Sequence, residues 1–252
     1  MHYFLMGDQM QLGQPSQGCH PGERGLSILD YLLHKTPAIP NDMGIFLNKT
    51  YRMHSAVNQF ISDAIYEGKL TASPENDLQR VRIPDGYQGT LNKEAGIITV
   101  PVMHQENTQA SDEEAEQIVI LANQLLGRIY TDKEGQKRCI EWKDIMFVAP
   151  YNHQVNKLKA ALGKEAKVGS VDKFQGQEAA IIFLSMCASN ANESPRGLNF
   201  LFDKSRINVA LSRAKCLAIV VYSPALVEAS AANIEQLAMI NLFCMLINSE
   251  YY

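Results

Sequence analysis

A cluster of basic residues lies directly before an apolar segment in the last quarter of the chain. Arg206, Arg213 and Lys215 belong to the stretch SRINVALSRAK, and the apolar run LAIVVYS follows at 217–223. Such a run is typical of a buried strand, so the backbone at Arg213 should be rigid. A guanidinium fixed in this way can present its planar fork of donors to a phosphate, as an arginine finger does. Cations that bind the last carbonyl groups of a helix are the alternative interpretation.

A second polar stretch separates two apolar segments. In VGSVDKFQGQEAAIIFLS, 168–185, Ser170 lies near the end of one predicted strand, and Gly176 and Glu178 precede the next. Glycine lets a backbone approach a ligand closely, and a glutamate can accept hydrogen bonds from sugar hydroxyl groups. A polar loop with a turn glycine would have the same composition, so this stretch alone leaves both interpretations open.

Two more stretches combine amide or aromatic side chains with charge. Tyr51 and Arg52 in KTYRMH can stack on a base and neutralise a phosphate, or they can form an ordinary surface pair. In FLMGDQMQLGQ, a short strand is predicted at 3–6, and it is followed by Gln9 and Gln11. An ordinary loop would again explain these two glutamines.

The predicted elements indicate how these stretches could meet. Strands are predicted near 45–48, 96–102, 144–150, 167–171, 179–186 and 217–223, and helices near 26–35, 54–68, 111–129, 152–163 and 233–248, with irregular chain at 9–25 and 71–95. The strands from 96 onward are nearly continuous apolar runs, which favours a parallel sheet in an α/β fold. Ser111 and Glu114 predict a capping box at one helix start. We expect ligands at the carboxyl ends of the strands, where we place PYNHQ, DKFQGQE and the segment leading into RINVALSRAK.

Composition limits the class of protein. The chain has 252 residues, is 46% hydrophobic and 20% charged, and carries a net charge of −4. That charge argues against a wholly basic nucleic-acid binder, yet residues 196–215 carry five cations against one acid. No apolar run of membrane-spanning length and no secretory pattern is present, so we expect a cytoplasmic chain without a membrane partner. The five cysteines lack zinc-like spacing, so we predict reduced thiols and no metal site.

The order of the motifs resembles that of superfamily 1 helicases. GDQMQL, TYRMH, PYNHQ, VGSVDKFQGQE and RINVALSRAK resemble motifs III to VI, from residue 4 to about residue 223. The chain is most similar to subgroup 1B, the group of the nonsense-mediated decay helicase and the Okazaki-fragment nuclease-helicase. It also looks like the C-terminal end of bacterial proteins that fuse a RecB-like nuclease to a helicase. The resemblance implies a RecA-like α/β fold, with residues 1–40 from a first RecA-like domain and residues 41–252 as the second.

The resemblance also implies roles for single residues. Gln11 would sense the γ-phosphate of ATP, Arg52 would contact it, and Arg213 would be the arginine finger. Three residues would hold the nucleotide, with stacking on the adenine by the first of them: Tyr51, Gly176 and Glu178. Three residues would lie toward a nucleic-acid strand: Ser170, Tyr151 and Gln154. Many members of subgroup 1B have glutamine at the position of Thr50, so no role is carried over to it.

The phosphate-binding loop of helicases is missing from these 252 residues. EGKLT and LGKEA contain Gly-Lys, but neither matches GxxxxGK[ST]. We therefore expect the C-terminal motor half of an ATP-dependent helicase, inactive alone, with ATP and Mg²⁺ bound mainly by a first RecA-like domain in cis. Its partner would be single-stranded nucleic acid, with DNA favoured over RNA. Two alternatives remain: a stand-alone module that binds nucleic acid or a protein without ATPase activity, and a small-molecule enzyme that uses Asp172 or Glu178 as a base.

Overall fold

The structure is a computed structural model that describes residues 4–13, 22–34 and 36–248. The strands are β1 (Lys49–Thr50), β2 (Thr71–Ala72), β3 (Arg80–Val81), β4 (Gly96–Pro101), β5 (Ile129–Thr131), β6 (Lys137–Cys139), β7 (Ile145–Val148), β8 (Lys167–Gly169), β9 (Ala179–Ser185) and β10 (Ala214–Tyr222). The α-helices are α1 (Ile28–Leu33), α2 (Ser55–Ile65), α3 (Asp112–Leu125), α4 (Asn152–Leu162), α5 (Gly197–Leu201), α6 (Lys204–Leu211) and α7 (Ile234–Ile247). Short 3-10 helices lie at 22–25, 74–78, 142–144, 172–174 and 224–228.

The main sheet has five parallel strands in the order β4-β10-β9-β7-β8. Every residue of β7 and β9 is buried, because helices cover both faces of the sheet. This explains why the strands are continuous apolar runs rather than alternating ones. The prediction of an α/β fold of the RecA-like type is confirmed.

Alternate side chains of the strands pack on opposite helical layers. Met146, Ile182 and Val220 face α2, α5, α6 and α7, whereas Phe147 and Phe183 stack at 5.2 Å on the side of α3 and α4. Both layers are closely packed, so the loops at the two ends of the sheet start from rigid positions. None of the helices within the described ranges is both long and apolar enough to cross a bilayer.

The sequence prediction fails at several short elements. Residues 4–6 form no strand, and Phe4 and Met6 are exposed; residue 3 and the part of the predicted loop at 14–21 lie outside the described residues. No strand forms at 45–48 either, and β1 follows instead and pairs in parallel with β2. The hairpin β5–β6 and the helix α6 were not predicted. Strands of two or three residues are too short to show a period, so pattern alone could not reveal them.

Candidate functional site

The predicted site residues lie at opposite edges of the sheet. Glu178 and Arg213 come directly before β9 and β10, at the amino ends of these strands, whereas Ser170 directly follows β8 at the carboxyl end. The predicted site residues therefore do not all lie at the carboxyl ends of the strands. The physical reason is that parallel neighbours need a crossover, and residues 170–178 run from the end of β8 back to the start of β9. We call the two groups the amino-edge cluster (Gln11, Tyr51, Arg52, Glu178, Arg213, Lys215) and the carboxyl-edge cluster (Tyr151, Gln154, Ser170).

Arg213 is the buried cation of the amino-edge cluster. Only 3% of the residue is exposed, and its guanidinium donates to Val209 O at 3.1 Å, Gln177 O at 3.4 Å and Gln11 Oε1 at 3.4 Å. Burial, and then the nearby charge of Arg52, lower the pKa of Arg213. Among the described residues, no carboxylate lies within ion-pair distance of it. A buried cation held only by neutral oxygens retains an unbalanced charge that an anion would stabilise.

Arg52, unlike Arg213, forms an ion pair with a carboxylate. Its Nε donates to Glu178 Oε2 at 2.7 Å, and its terminal nitrogen donates to Ser212 O at 3.1 Å, next to Arg213. Lys215 binds the other oxygen of Glu178 at 2.9 Å. Burial alone would raise the pKa of Glu178, but the hydrogen bonds from Lys215 and Arg52 outweigh it and lower that pKa. Two cations thus bind one ionised carboxylate. With Arg213, the amino-edge cluster has three cations and one acid, which leaves this edge of the sheet attractive to an anion.

The Tyr51 ring borders a cleft of about 570 Å³. Tyr51 is 61% exposed, and the Lys49 ammonium lies 5.4 Å from the centroid of its ring. The same cleft is lined by Gln11, Arg52 and Glu178. A flat aromatic face beside paired cations suits a ligand with an aromatic base and phosphates.

Three buried polar residues hold the Tyr51–Arg52 loop, and no sequence pattern marks them. Asn76 Nδ2 donates to Thr50 O and to Met53 O, both at 3.0 Å, and Gln79 Nε2 donates to Arg52 O at 2.7 Å. Tyr130 on β5 in turn donates to Gln79 Oε1 at 3.1 Å. These residues come from stretches without helical or strand periodicity, so only their partners in the fold reveal what they do.

Gly176 lies in the crossover between the two edges. Its φ is +81°, and a Cβ atom there would meet nothing within 4 Å. The glycine is therefore required by the backbone turn, rather than by lack of space. This turn brings Gln177 O to Arg213, so Gly176 sets the path of the backbone beside the buried guanidinium.

Gln11 reaches the amino-edge cluster from the N-terminal part of the chain. Its Nε2 donates to Asp8 Oδ2 at 2.9 Å, and its Oε1 faces Arg213 at 3.4 Å. The structure thus brings together residues predicted from four separate stretches: Gln11, Arg52, Glu178 and Arg213.

The carboxyl-edge cluster is mostly buried. Tyr151 is 6% exposed, packs on Phe200 with ring centroids 5.2 Å apart, and shares a hydrogen bond with Ser194. Ser170 retains a half-exposed position after β8. Of the three side chains, Ser170 is the one that solvent or a ligand can reach most readily.

Gln154 does not fit its predicted role. The residue is fully buried, and its amide accepts from Ser111 N at 2.9 Å and donates to Ser111 O and Ser185 Oγ. A contact between this side chain and nucleic acid is therefore excluded in this structure, because its groups are occupied inside the protein. Gln154 instead ties the start of α3 to the end of β9.

The predicted capping box at α3 is half correct. Ser111 Oγ accepts from Glu114 N at 3.0 Å, but the Glu114 carboxylate turns into the core instead of back to the helix start. It accepts from Ser185 Oγ at 2.6 Å and from Cys187 N at 3.0 Å, and it contacts His104 at 3.1 Å. This buried acid therefore anchors the chain that leaves β9.

The small-molecule enzyme is not favoured by the geometry. Asp172 is paired with Arg206 at 3.1 Å, and Glu178 is bound by two cations that hold it ionised. Neither position therefore offers the free carboxylate that a general base needs. Within the described ranges, no three His, Cys, Asp or Glu side chains are grouped so that they could hold a metal ion.

A RecA-like sheet with cations at the amino ends of its strands is compatible with a motor-like domain of the helicase class. A family model described as an AAA domain matches residues 25–224, and the chain belongs to this family of superfamily 1 helicases. The match spans β1 to β10 and includes every member of the amino-edge cluster except Gln11.

Several named helicases are similar to this chain. DNA polymerase alpha-associated DNA helicase A of Schizosaccharomyces pombe is 31% identical over 219 residues, which is 84% of this chain and 32% of that protein. RNA helicase Mov10l1 of Mus musculus is 32% identical over 252 residues, 87% of this chain and 20% of that protein. DNA-binding protein SMUBP-2 of Rattus norvegicus is 29% identical over 225 residues, 84% of this chain and 21% of that protein. The chain thus spans about a fifth to a third of the length of these relatives.

Proposed function

We propose that this chain is the second RecA-like motor domain of an ATP-dependent helicase of subgroup 1B, of the kind fused to a RecB-like nuclease. Residues 1–40 would belong to the end of a first RecA-like domain and residues 41–252 to the second. That first domain, in cis, would carry the phosphate-binding loop that these 252 residues lack. The greater length of the relatives supports this arrangement.

The observation that carries the proposal is the environment of Arg213. Its guanidinium is buried, held by neutral oxygens and placed beside a second guanidinium. Such a cation is pre-positioned for negative charge that arrives from outside the domain. An arginine finger needs this arrangement, because it stabilises charge that develops during phosphoryl transfer.

The other members of the amino-edge cluster would bind ATP before it reacts. Tyr51 would stack on the adenine, and Arg52 and Gln11 would contact the γ-phosphate. Glu178 would accept from the ribose, and Gly176 would let the backbone approach the nucleotide. The open ring face of Tyr51 and the cleft beside Arg52 fit such a ligand. Mg²⁺, bound mainly by the first domain, would neutralise part of the phosphate charge.

Single-stranded nucleic acid would bind at the carboxyl edge, DNA rather than RNA. Ser170 would contact the strand with its accessible hydroxyl group, and the chain at Tyr151 would contribute its surface near Phe200. The named relatives include both a DNA helicase and an RNA helicase, so the choice of nucleic acid is tested by competition between matched DNA and RNA strands.

The test is steady-state ATP hydrolysis in the presence of single-stranded DNA. It uses the full-length protein, by which we mean this chain together with the proposed first RecA-like domain. Arg213→Ala should lower kcat by roughly 10³- to 10⁵-fold, while KM for ATP changes by less than about tenfold because the finger acts mainly after binding. Arg213→Lys should restore little, since a point charge does not reproduce the planar fork.

Arg82→Ala is the matched control. Arg82 is an exposed arginine paired with Asp85 at 3.6 Å, and its removal should leave kcat unchanged. Hydrolysis by Arg213→Ala at nearly the wild-type rate would contradict the proposal and would favour the stand-alone binding module.

A further inference from the structure

A buried polar chain joins the loop at Asp8–Gln11 to two helices of the second layer. Tyr66, which directly follows α2, donates from its hydroxyl group to Asp8 Oδ2 at 2.7 Å. Asn208 on α6 donates from Nδ2 to the Tyr66 hydroxyl group at 3.0 Å and to Met10 O at 2.9 Å. Tyr66 is 6% and Asn208 1% exposed. None of these contacts belongs to the roles already assigned to the amino-edge cluster.

Asp8 determines the orientation of the Gln11 amide. Its carboxylate accepts from Tyr66, from Gln11 Nε2 at 2.9 Å and from Met10 N at 2.9 Å. Because a carboxylate only accepts, Gln11 must turn its amide nitrogen toward Asp8. The amide oxygen of Gln11 is then the atom that faces the Arg213 guanidinium. A reversed amide would place two sets of donors against each other.

Asn208 sets the direction of these hydrogen bonds, from donor to acceptor. Both of its donor contacts need the amide nitrogen at this position, because Met10 O can only accept. Its amide oxygen is buried and has no hydrogen-bond partner among the described residues. Leaving this oxygen without a partner is unfavourable, but the orientation keeps both hydrogen bonds that the amide nitrogen donates. Burial is the largest cause that raises the pKa of Tyr66, followed by the charge of Asp8, so its hydroxyl group remains a donor at neutral pH.

The same helix also holds the Arg213 side chain. Asn208 lies one residue before Val209, whose carbonyl oxygen accepts from Arg213 Nε at 3.1 Å. A displacement of α6 therefore moves Arg213 and, through Asn208 and Met10, the loop that carries Gln11. Gln11 and Arg213, the two groups proposed to act on the γ-phosphate, are thus linked through buried hydrogen bonds.

We propose that Asp8, Tyr66 and Asn208 form a positioning relay that holds the Gln11 amide oxygen against Arg213. The relay rests on the proposed function, because it sets the geometry of two groups that act on ATP. These three residues do not touch the nucleotide. They fix which end of the Gln11 amide meets the guanidinium and keep that contact aligned with α6.

The test is a double-mutant cycle in the full-length protein between Tyr66→Phe and Gln11→Ala. Tyr66→Phe removes the hydroxyl group and keeps the packing of the ring. We expect kcat to fall by about tenfold, the effect of one lost charge-assisted hydrogen bond, with KM for ATP changed by less than about threefold. In the Gln11→Ala background, Tyr66→Phe should change kcat by less than about twofold, because the side chain it orients is gone.

Two further variants separate positioning from general stability. Asp8→Asn should reproduce the loss in kcat through a different residue of the relay. Tyr87→Phe is the matched control: Tyr87 also donates from its hydroxyl group to a side chain, Gln124, but in another part of the fold. It should leave kcat unchanged.

A readout without nucleotide is amide hydrogen exchange at Met10 and Gln11. Met10 N donates to Asp8 Oδ1, and Gln11 N donates to Asp8 O at 3.2 Å. Exchange at these two positions should be faster in Tyr66→Phe than in wild type, and unchanged in Tyr87→Phe.

The outcomes separate the relay from the function on which it rests. If Gln11→Ala and Arg213→Ala both hydrolyse ATP at the wild-type rate, the proposed function is wrong and the relay falls with it. If those two variants are slow, the proposed function stands. The relay alone is then overturned if Tyr66→Phe lowers kcat by the same factor in the Gln11→Ala background as in wild type. The relay is also overturned if Tyr66→Phe, like the control Tyr87→Phe, leaves kcat and amide exchange at Met10 and Gln11 unchanged.

Discussion

At the residue scale, two arginines of the same cluster have different electrostatic surroundings. Arg52 is half-buried and bound to the ionised Glu178, whereas Arg213 is buried among neutral oxygens. A compensated, accessible guanidinium can contact a bound phosphate at once. An uncompensated, buried guanidinium contributes most where additional negative charge develops. The two positions should therefore differ in kinetics as well as in structure.

Arg52→Ala should weaken both binding and rate. The substitution removes a ground-state contact, so KM for ATP should rise by about tenfold or more together with a fall in kcat. Steady-state kinetics of the full-length protein beside a nucleotide-binding titration measures both effects. Lys69→Ala, which removes an exposed cation paired with Glu67, is the control. An unchanged nucleotide affinity in Arg52→Ala would show that this arginine does not grip the bound nucleotide.

The roles of Arg52 and Arg213 were predicted from sequence, but the residues that hold them were not. Motif order identifies a side chain with its own chemistry, such as Arg213 before an apolar strand. Asn76 and Gln79 act only through the backbone atoms they bind, and no local pattern marks such a contact. Gln154 shows the reverse error: a polar residue after a strand was assigned to a ligand, although the fold uses it internally.

At the element scale, the hairpin β5–β6 supports the Tyr51–Arg52 loop, because Tyr130 on β5 binds Gln79, which binds Arg52 O. Arg138 on β6 donates to Asp144 at 2.7 Å, and Asp144 also accepts from Glu141 N at 3.0 Å. Burial alone would raise the pKa of Asp144, but the hydrogen bonds from Arg138 and Glu141 outweigh it and hold that pKa below its usual value. The charged form of Asp144 therefore stabilises the folded state.

Asp144→Asn should destabilise the chain in a pH-dependent way. Because the pKa of Asp144 is lower in the folded than in the unfolded state, its contribution is fully present above the unfolded value and is lost as pH falls through the folded value. We expect a loss of about 1–2 kcal/mol in the free energy of unfolding at pH 7, shrinking below about pH 4. Denaturant unfolding at several pH values measures it. A difference from wild type that stays constant down to pH 3 would contradict this account.

The long elements were predictable from sequence and the short ones were not. The strands β4, β7, β9 and β10 are apolar runs buried on both faces, so composition alone marks them. The division of the predicted site residues between two edges of the sheet was missed for a different reason. Sequence order shows that a polar loop lies between two strands, but not which strand end it serves, and the crossover at 170–178 returns to the amino edge.

At the scale of the whole molecule, the amino-edge cluster supplies cations and an aromatic face but no phosphate-binding loop. Nucleotide affinity in helicases comes largely from that loop and from the Mg²⁺ ligands. We therefore expect the 252-residue chain alone to show no ATP turnover above a buffer control and to bind ATP weakly. A purified preparation with turnover that Arg213→Ala abolishes would contradict this expectation, because it would place a complete catalytic site within this chain.

The most direct measurement of the central claim compares two affinities in the full-length protein with Arg213→Ala. One is the affinity for ATP, and the other is the affinity for ADP with aluminium fluoride, which mimics the charge and shape of the transferring phosphoryl group. A residue that acts in the transition state should contribute chiefly to the second affinity. We predict that Arg213→Ala weakens binding of the mimic by about a hundredfold or more, while ATP affinity stays within about tenfold of wild type. An equal loss for both ligands, or none for the mimic, would mean that Arg213 is not an arginine finger.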